Sequence, residues 1–312
     1  MKRKTKAAIL LSLLSPFLAE VLGGSTTPMQ VLANPVSFLL LWMYYGSGVL
    51  LVREAWVRWG RTNLRLMLLG FLYGVVEEGI VIRSWFNPKW PDLGILGVYG
   101  RTWGINTVWA VWLTIYHSLM SISMPILLID ALYPDLKEET FLEGRSVYMA
   151  FLAFISSGAI FAVGLTKYVP PFSRYLVALI SAVALFLLAK NVKGELPSFK
   201  TPSKHPYIYG FAVGFILFLT FTAFPKTSIP PILTALISIA ITLHFYSSLR
   251  GEITTRITLG FLAFWLVVFD ILLEINGVIG EAILGPLTYA TLHLRIRRIS
   301  SEAHSDRPQA ER

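Results

Sequence analysis

Apolar stretches, each close to the length that crosses a bilayer, follow one another along almost the whole chain. A helix needs about 20 apolar residues to span the hydrocarbon core, and only helices and closed barrels satisfy their backbone there. The predicted spans cover residues 7–22, 36–52, 66–82, 106–132, 146–166, 175–189, 207–224, 232–249, 257–275 and 278–294. This pattern predicts an all-α, polytopic transmembrane helical bundle of about ten spans in the cell membrane.

The composition excludes an ordinary soluble domain and several kinds of chemistry. Hydrophobic residues make up 55% and charged residues only 14%, whereas soluble domains carry about 25% charged residues. Since the chain has no cysteine, disulfides, a thiolate nucleophile and cysteine metal ligands are excluded. The same absence, with few Asn and Gln residues, suggests a thermophilic source.

The net charge of +9 is best explained by membrane topology. Of the 27 Lys and Arg residues, 21 fall in segments that are cytoplasmic if the N-terminus is cytoplasmic and ten spans follow. Such a bias is typical of the positive-inside rule. We therefore expect both termini in the cytoplasm, membrane lipid as a partner, and no nucleic acid.

The polar and aromatic residues favour an unequal division of the chain. Eight of the nine Trp residues lie between Trp42 and Trp112. We predict a membrane half at residues 1–145 that carries the site, a supporting half at 146–294, and a frayed polar tail at 295–312. The Pro/Lys-rich link at 190–206 is another candidate boundary. The first apolar run favours an uncleaved span over a signal peptide, since no clear cleavage site follows it.

Two adjacent carboxylates, Glu77 and Glu78, interrupt an otherwise apolar span. Ionisable residues in a span are costly and mark functional sites by default. Helical spacing places Gly70, Gly74 and Glu78 on one stripe, and a small-residue stripe lets a neighbouring helix approach closely. The carboxylates should therefore face protein, where they act either as a functional pair or as a structural hydrogen-bonding node.

The next span carries a polar stripe that includes Asn106, His117 and Ser121. A glutamate and a histidine on consecutive antiparallel spans are candidates for a general base and a polarising or metal-binding partner. His117 lies eleven residues inward from Asn106, roughly 16 Å along a helix. Contact with the carboxylates therefore requires tilted helices or a re-entrant loop, and an interhelical hydrogen bond is the structural alternative for His117.

Glu77-Glu78 with Arg83, followed by Leu113-x-x-x-His117, resembles the motifs of the CPBP intramembrane proteases, the CAAX-protease and bacteriocin-processing family. Their pattern is Glu-Glu-x-x-x-Arg, Phe-x-x-x-His and His-x-x-x-Asn. In this chain four residues separate Glu78 from Arg83, Leu113 replaces the Phe, and only His244-x-x-x-Ser248 corresponds to the third motif. The resemblance implies that Glu77 or Glu78 activates water and that His117 helps to hold the site.

The connection between these two spans, residues 83–105, is longer than a simple connector requires and predicts a folded lid or re-entrant element. Its charged and aromatic residues are candidates for substrate binding. These candidates are Arg83, Trp90, Asp92, Arg101 and Trp103. An aromatic belt at the membrane interface, with Arg83 as an anchor, explains the same residues equally well.

Further acidic residues lie at a similar predicted depth and extend the site into a candidate outward-facing vestibule. They are Glu20, Asp270, Glu274 and Glu281. Three functions remain open from the sequence. The leading one is a hydrolase acting on a membrane-embedded peptide or lipid-linked substrate, with a divalent metal as an open question. The alternatives are a proton- or cation-coupled transporter and a non-catalytic assembly factor.

Overall fold

The apolar stretches form helices in the computed structural model, which describes residues 2–197 and 204–305. The helices are α1 (residues 3–21), α2 (Pro28–Ala33), α3 (Pro35–Trp59), α4 (residues 63–81), α5 (Thr107–Leu132), α6 (Arg145–Gly164), α7 (Phe172–Asn191), α8 (Pro206–Thr222), α9 (Pro231–Ser248), α10 (Ile253–Ile275) and α11 (Glu281–Ser305). The predicted all-α class is confirmed. Part of the candidate boundary at 190–206 lies outside the described residues.

Seven of the described helices are long and apolar enough to cross a membrane. These are α3, α5, α6, α7, α8 with the short turn that follows it, α9 and α10. The polytopic membrane character is therefore confirmed. The remaining predicted spans, which correspond to α1, α4 and α11, are helical as well.

Proline and small polar residues set where several helices begin. Pro206 and Pro231 occupy first-turn positions of α8 and α9, where a missing N–H costs nothing and the fixed φ suits a helix. Thr62 caps α4 through a 3.1 Å hydrogen bond from the Arg65 amide to its hydroxyl. Such caps satisfy amides that have no partner within the helix. The start of α4, and with it the register of the carboxylates, is defined by this cap.

Helix α5 runs through the middle of the bundle, since 89% of its apolar window is buried. It contacts α1, α4, α9 and α10. Helices α6 and α7 lie at the periphery, with 22% and 11% of their apolar windows buried. Their exposed apolar faces suit contact with lipid, where no hydrophobic penalty applies.

Five of the described helices contain a π-helical turn: Phe17–Val21 in α1, Trp42–Gly46 in α3, Val75–Val81 in α4, His117–Ser123 in α5 and Phe264–Phe269 in α10. Such turns are rare in proteins overall, and those that occur are often found at functional sites. Four of them contain Glu20, Tyr45, the Glu77–Glu78 pair and His117, and the fifth ends directly before Asp270. An extra residue in the turn changes the direction of the side chains relative to a regular helix.

The connection between α4 and α5 is folded, as its length predicted. A 3₁₀ segment covers Pro91–Gly97, and β1 (Arg101–Thr102) pairs antiparallel with β2 (Ile105–Asn106). Both residues of the hairpin turn have positive φ, 54° at Trp103 and 73° at Gly104, as a two-residue turn of this hand requires. Phe86 is completely buried in this connection, so it packs on the bundle.

The segments that the charge count assigns to the cytoplasm contact one another. The Arg3 guanidinium pairs with Asp135 at 2.9 Å, and the Arg65 Nε donates to the Ala189 carbonyl at 2.8 Å. Arg250 donates to the Leu196 carbonyl at 3.0 Å. The basic links therefore gather at one end of the bundle, as the predicted topology requires.

The prediction of a frayed tail from Arg295 is wrong for residues 295–305, which continue α11 to Ser305. Arg298 and Glu302 form an ion pair at 2.9 Å at i and i+4, a spacing that supports a helix in water. The polar composition of this stretch belongs to a solvated helix. Residues 306–312 of the predicted tail lie outside the described residues.

Candidate functional site

The small-residue stripe of α4 packs against α5, as predicted. A methyl group at Gly70 would overlap the Ser118 hydroxyl oxygen, and one at Gly74 would lie 2.9 Å from the Cα of Thr114. Such close approach excludes any side chain at either position without movement of α5. The close approach brings Glu77 and Glu78, which follow Gly74 on α4, to the level of His117.

Glu77, Glu78 and His117 meet in one buried cluster. His117 Nε2 lies 3.2 Å from Glu78 Oε1, and Nδ1 lies 3.1 Å from Glu77 Oε2. The three residues are 7% exposed or less. The Glu–His contact that the sequence left conditional is present, because the close helix packing and the π-helical turns place both carboxylates beside the imidazole.

Hydroxyl groups orient both sides of the cluster. His117 Nδ1 lies 2.9 Å from Ser121 Oγ, and the Ser84 hydroxyl donates to Glu78 Oε2. The Trp109 indole N–H donates in turn to Ser84 Oγ at 3.1 Å. Glu78 therefore has one oxygen held by Ser84 and the other facing the imidazole, an arrangement that fixes its rotamer.

Glu20 and Tyr45 complete the acidic side of the site. The Tyr45 hydroxyl lies 2.5 Å from Glu20 Oε1 and also contacts Glu77 Oε1. A hydroxyl has one proton, so it can donate to only one of the two carboxylates. The second carboxyl group either is protonated and donates to the hydroxyl oxygen, or is ionised and is repelled by that oxygen. The sequence analysis placed Glu20 in the candidate vestibule, but no signal in the sequence distinguished Tyr45 from other interfacial tyrosines.

A cavity of about 320 Å³ opens beside the cluster. Glu20, Tyr45, Glu77, Glu78 and His117 line it. Apolar and aromatic side chains supply most of the remaining wall, namely Leu41, Ile82, Trp90, Trp109, Leu113, Tyr116, Phe161 and Leu165, with Ser25, Thr26 and Asp92 as further polar residues. Trp90 and Asp92, two of the predicted substrate-binding residues, therefore lie at the cavity.

Asn106 and Arg101 lie behind the site and hold the connecting loop. The Asn106 amide donates to the Ser84 and Asn87 carbonyls at 3.1 Å each. Arg101 donates to the Asn106 side-chain oxygen and, at 3.1 Å, to the Gly104 carbonyl. Asn106, a predicted catalytic residue, thus contacts the backbone of Ser84, whose hydroxyl donates to Glu78.

Arg83 and Trp103 lie away from the cavity. Arg83 donates to the Ala162 and Thr166 carbonyls, the latter at 3.2 Å, so it caps the end of α6. Arg83, a predicted substrate-binding residue, therefore contacts backbone carbonyls at the end of a neighbouring helix. Trp103 is 84% exposed, as an interfacial aromatic residue would be.

The cluster has the donor atoms of a transition-metal or zinc site. One ligand atom from each of Glu77, Glu78 and His117 lies within 4.8 Å of the others. Glu77 Oε2 is buried and accepts no hydrogen bond, so it has a lone pair available. Imidazole nitrogen with carboxylate oxygen suits Zn²⁺, Mn²⁺ or Fe²⁺.

Two predicted extensions of the site do not join it. His244 Nδ1 lies 2.6 Å from the Tyr209 hydroxyl, which also accepts from Ser248 at 3.1 Å; this contact between α8 and α9 lies apart from the cavity. Of the second acidic set, neither Asp270, Glu274 nor Glu281 is among the described residues that line the cavity. The vestibule thus contains Glu20 but lacks these three, because α10 and α11 hold them elsewhere.

The comparisons with known proteins identify a family and no relative of established activity. No curated protein and no solved structure matches the chain. A family model described as "Uncharacterized membrane protein family" matches residues 9–190, which include every residue of the cluster. The comparisons give no match to the CPBP group, so that resemblance rests on the motifs alone. Since the match covers more than half of the 312 residues, the chain belongs to this family of membrane proteins.

Proposed function

We propose that this protein is an intramembrane hydrolase whose reaction takes place at Glu77, Glu78 and His117. The observation that carries the proposal is the contact of His117 with both carboxylates, at 3.1 and 3.2 Å, in the wall of a cavity. A buried acid–base cluster beside a mainly apolar cavity is the usual arrangement of an enzyme site. The motif resemblance to the CPBP proteases gives the same reaction class.

Glu78 is the proposed general base. Its side chain is 10% exposed against 3% for Glu77, so it is the carboxylate that a water molecule in the cavity can reach. Glu78 takes a proton from water as the water oxygen bonds to the substrate carbonyl carbon. The carbon–nitrogen or carbon–oxygen bond then breaks, and the same proton passes to the leaving group. His117 orients Glu78 and stabilises negative charge.

The cluster also fits a divalent metal ion, for which Glu77, Glu78 and His117 would supply the ligands. Such an ion, when bound, supplies a Lewis acid that polarises the carbonyl. Ser121 and Ser84 hold His117 and Glu78 from behind, as partners of metal ligands commonly do. Water activation and metal binding thus require the same three side chains.

The substrate class follows from the wall of the cavity. Its aromatic and aliphatic residues suit the apolar chain of a membrane-embedded peptide or of a lipid-linked molecule. Trp90 and Asp92 come from the folded loop, so the loop forms part of the binding site. With ten spans and both termini in the cytoplasm, which we also propose, this cavity lies in the outer half of the membrane.

The experiment compares membrane peptides produced by wild type and by Glu78→Gln after reconstitution into liposomes. The substrate mixture is a set of single-span peptides and lipid-linked peptides, and products are identified by mass spectrometry. Wild type should generate products that Glu78→Gln does not. Glu195→Gln, a change at an exposed residue of the α7–α8 link, is the matched control. Equal product patterns for wild type and Glu78→Gln would refute the proposal.

A proton-coupled transporter is the second candidate, favoured by one observation. Glu20, Tyr45 and Glu77 form a continuous hydrogen-bonded chain from α1 through α3 to α4, and such chains carry protons in membrane pumps. Uptake driven by a pH gradient in proteoliposomes, lost in Glu20→Gln, would support transport. Absence of both hydrolysis and uptake would favour the non-catalytic assembly factor.

A further inference from the structure

A second buried carboxylate pair, Asp270 and Glu281, lies between α10 and α11, apart from the cavity described above. Both residues are completely buried, and the helices that carry them pack against each other. Glu281 lies one helical turn before Gly285 on the same face of α11. A methyl group at Gly285 would overlap Asp270 Oδ2, so the Asp270 carboxylate rests directly against the α11 backbone.

None of the four carboxylate oxygens of this pair has a hydrogen-bond partner among the described residues. Glu274, the neighbouring acid, differs in this respect because its Oε2 accepts from the Gly280 and Ala282 amides at 2.7 and 3.1 Å. Burial of an unpaired charge is strongly unfavourable, and buried charges in proteins are paired or bind metal. The described side chains supply no positive group to the pair, so its charge must be neutralised either by protons or by a bound cation.

The backbone adds a further ligand. The Leu266 carbonyl oxygen would also contact a methyl group at Gly285, so it is close to Asp270 Oδ2. Leu266 belongs to the π-helical turn Phe264–Phe269, and π turns are frequent where helices bind ligands. The absence of a side chain at Gly285 thus lets the Asp270 carboxylate and the Leu266 carbonyl lie together against the α11 backbone.

We propose that Asp270 and Glu281 bind a hard divalent cation of the Mg²⁺ or Ca²⁺ class between α10 and α11. All the donors are oxygen atoms, which these ions prefer. Two carboxylates match the charge of a divalent ion. Protons are the alternative, because two protonated carboxyl groups can donate to each other. The two occupants differ in one measurable respect, since a protonated pair does not respond to added metal.

This site differs in chemistry from the Glu77–Glu78–His117 cluster. The first cluster includes an imidazole nitrogen, which suits zinc or another transition metal, while the second offers oxygen only. A cation here joins α11 to α10 and has no part in the proposed hydrolysis. The two sites should therefore respond to different metals and to different substitutions.

The test measures the melting temperature of the purified full chain in detergent, first stripped with a chelator and then titrated with MgCl₂ or CaCl₂ alone. Bound ion per chain is measured by elemental analysis after dialysis. We expect one equivalent in wild type and a melting temperature that rises with the logarithm of the ion concentration, as ligand linkage requires. Asp270→Asn and Glu281→Gln should both abolish the rise.

Controls separate this site from others. Glu302→Gln changes an exposed carboxylate of the same helix, and Glu78→Gln changes the first cluster; both should keep the full rise. In the chelated state, Asp270→Asn should melt at or above the wild-type temperature, because it removes repulsion between two buried anions. A wild type that neither binds nor responds to Mg²⁺ or Ca²⁺, or a response retained in both Asp270→Asn and Glu281→Gln, would overturn the proposal.

Discussion

At the scale of single residues, Glu78 faces two partners at once, the Ser84 hydroxyl and the His117 ring. Glutamine keeps the size and hydrogen-bonding capacity of this side chain but cannot take up a proton. We expect the free energy of unfolding of Glu78→Gln to lie within about 1 kcal/mol of the wild-type value. The variant should nevertheless lose activity. Calorimetry and the product assay measure the two effects separately.

Glu78→Leu tests the same position for a structural role. Leucine removes the acceptor of the Ser84 hydroxyl proton and the carboxylate partner of His117 Nε2, and a buried unsatisfied polar group costs about 1–3 kcal/mol. We therefore expect a lower melting temperature than for Glu78→Gln. If both substitutions melt alike and both remain active, Glu78 is neither a base nor a hydrogen-bonding node.

The charged members of the cluster were predictable from the sequence, but its hydroxyl partners were not. Glu77, Glu78 and His117 are conspicuous because ionisable groups are rare in spans. Tyr45 and Ser84 are not, since tyrosine and serine are common at this depth in any membrane protein. Only the packing of α3 and of the folded loop brings these hydroxyls to the carboxylates.

At the scale of helices, contact between α4 and α5 holds the site together. Gly74→Leu places a side chain where Thr114 Cα already lies 2.9 Å from a first methyl group. Overpacking of this kind costs on the order of 1–3 kcal/mol, and displacement of α5 should also reduce activity. Melting in detergent and the product assay are the measurements.

Gly164→Leu is the control for this helix prediction. Gly164 ends α6, and nothing lies within 4 Å of a methyl group placed there. This variant should melt close to wild type and remain active. A Gly74→Leu protein indistinguishable from Gly164→Leu would mean that α4 does not pack on α5 through this stripe.

The contact between the start of α1 and the link before α6 should depend on pH. Lys4 Nζ donates to Glu143 Oε1 at 2.6 Å, and this hydrogen bond and the ammonium charge lower the pKa of Glu143 below its usual value. Its contribution to stability is present above the unfolded pKa of about 4.3 and disappears as the pH falls through the lower folded pKa.

Glu143→Gln should therefore reduce the melting temperature slightly at pH 7, since the pair is exposed and screened. The difference from wild type should vanish when the pH falls well below 4. Melting curves of both proteins from pH 7 to pH 3 measure it. A difference that is constant over this range would show that the ionised pair contributes nothing.

Helix positions were predictable, but the local irregularities that shape the site were not. The 3.6-residue period located α4 and α5 and correctly placed Gly70 and Gly74 on a face that packs against another helix, which the structure identifies as α5. A π-helical turn has no comparable sequence pattern, and both Val75–Val81 and His117–Ser123 are of this kind. Regular helices would separate His117 from the carboxylates in depth, so the sequence left their contact open.

At the scale of the whole molecule, the orientation in the membrane is the main remaining prediction. The chain has no cysteine, so single cysteines can be introduced without removing others. A cysteine at Lys89, in the folded loop, should react with an impermeant maleimide added outside the cell. A cysteine at Lys193, in the α7–α8 link, should react only after permeabilisation.

The reverse labelling pattern would invert the topology and place the cavity in the cytoplasmic half. The number of spans is a separate prediction. Helices α1, α4 and α11 carry charged residues at their ends or in the site, and such residues lower the hydropathy by which a span is recognised. Hydropathy alone identifies seven spans among the described residues, whereas the alternation of basic and non-basic links favours ten. Labelling on both sides of α4 decides between the two counts.

The central claim, that Glu78 and His117 act as one unit, is tested most directly by a double-mutant cycle on the hydrolysis rate. Wild type, Glu78→Gln, His117→Gln and the double variant are assayed on one reconstituted substrate. Residues of one catalytic unit are strongly non-additive, so the double variant should be no slower than the slower single variant. Independent losses that multiply in the double variant, or full activity in either single variant, would contradict the account.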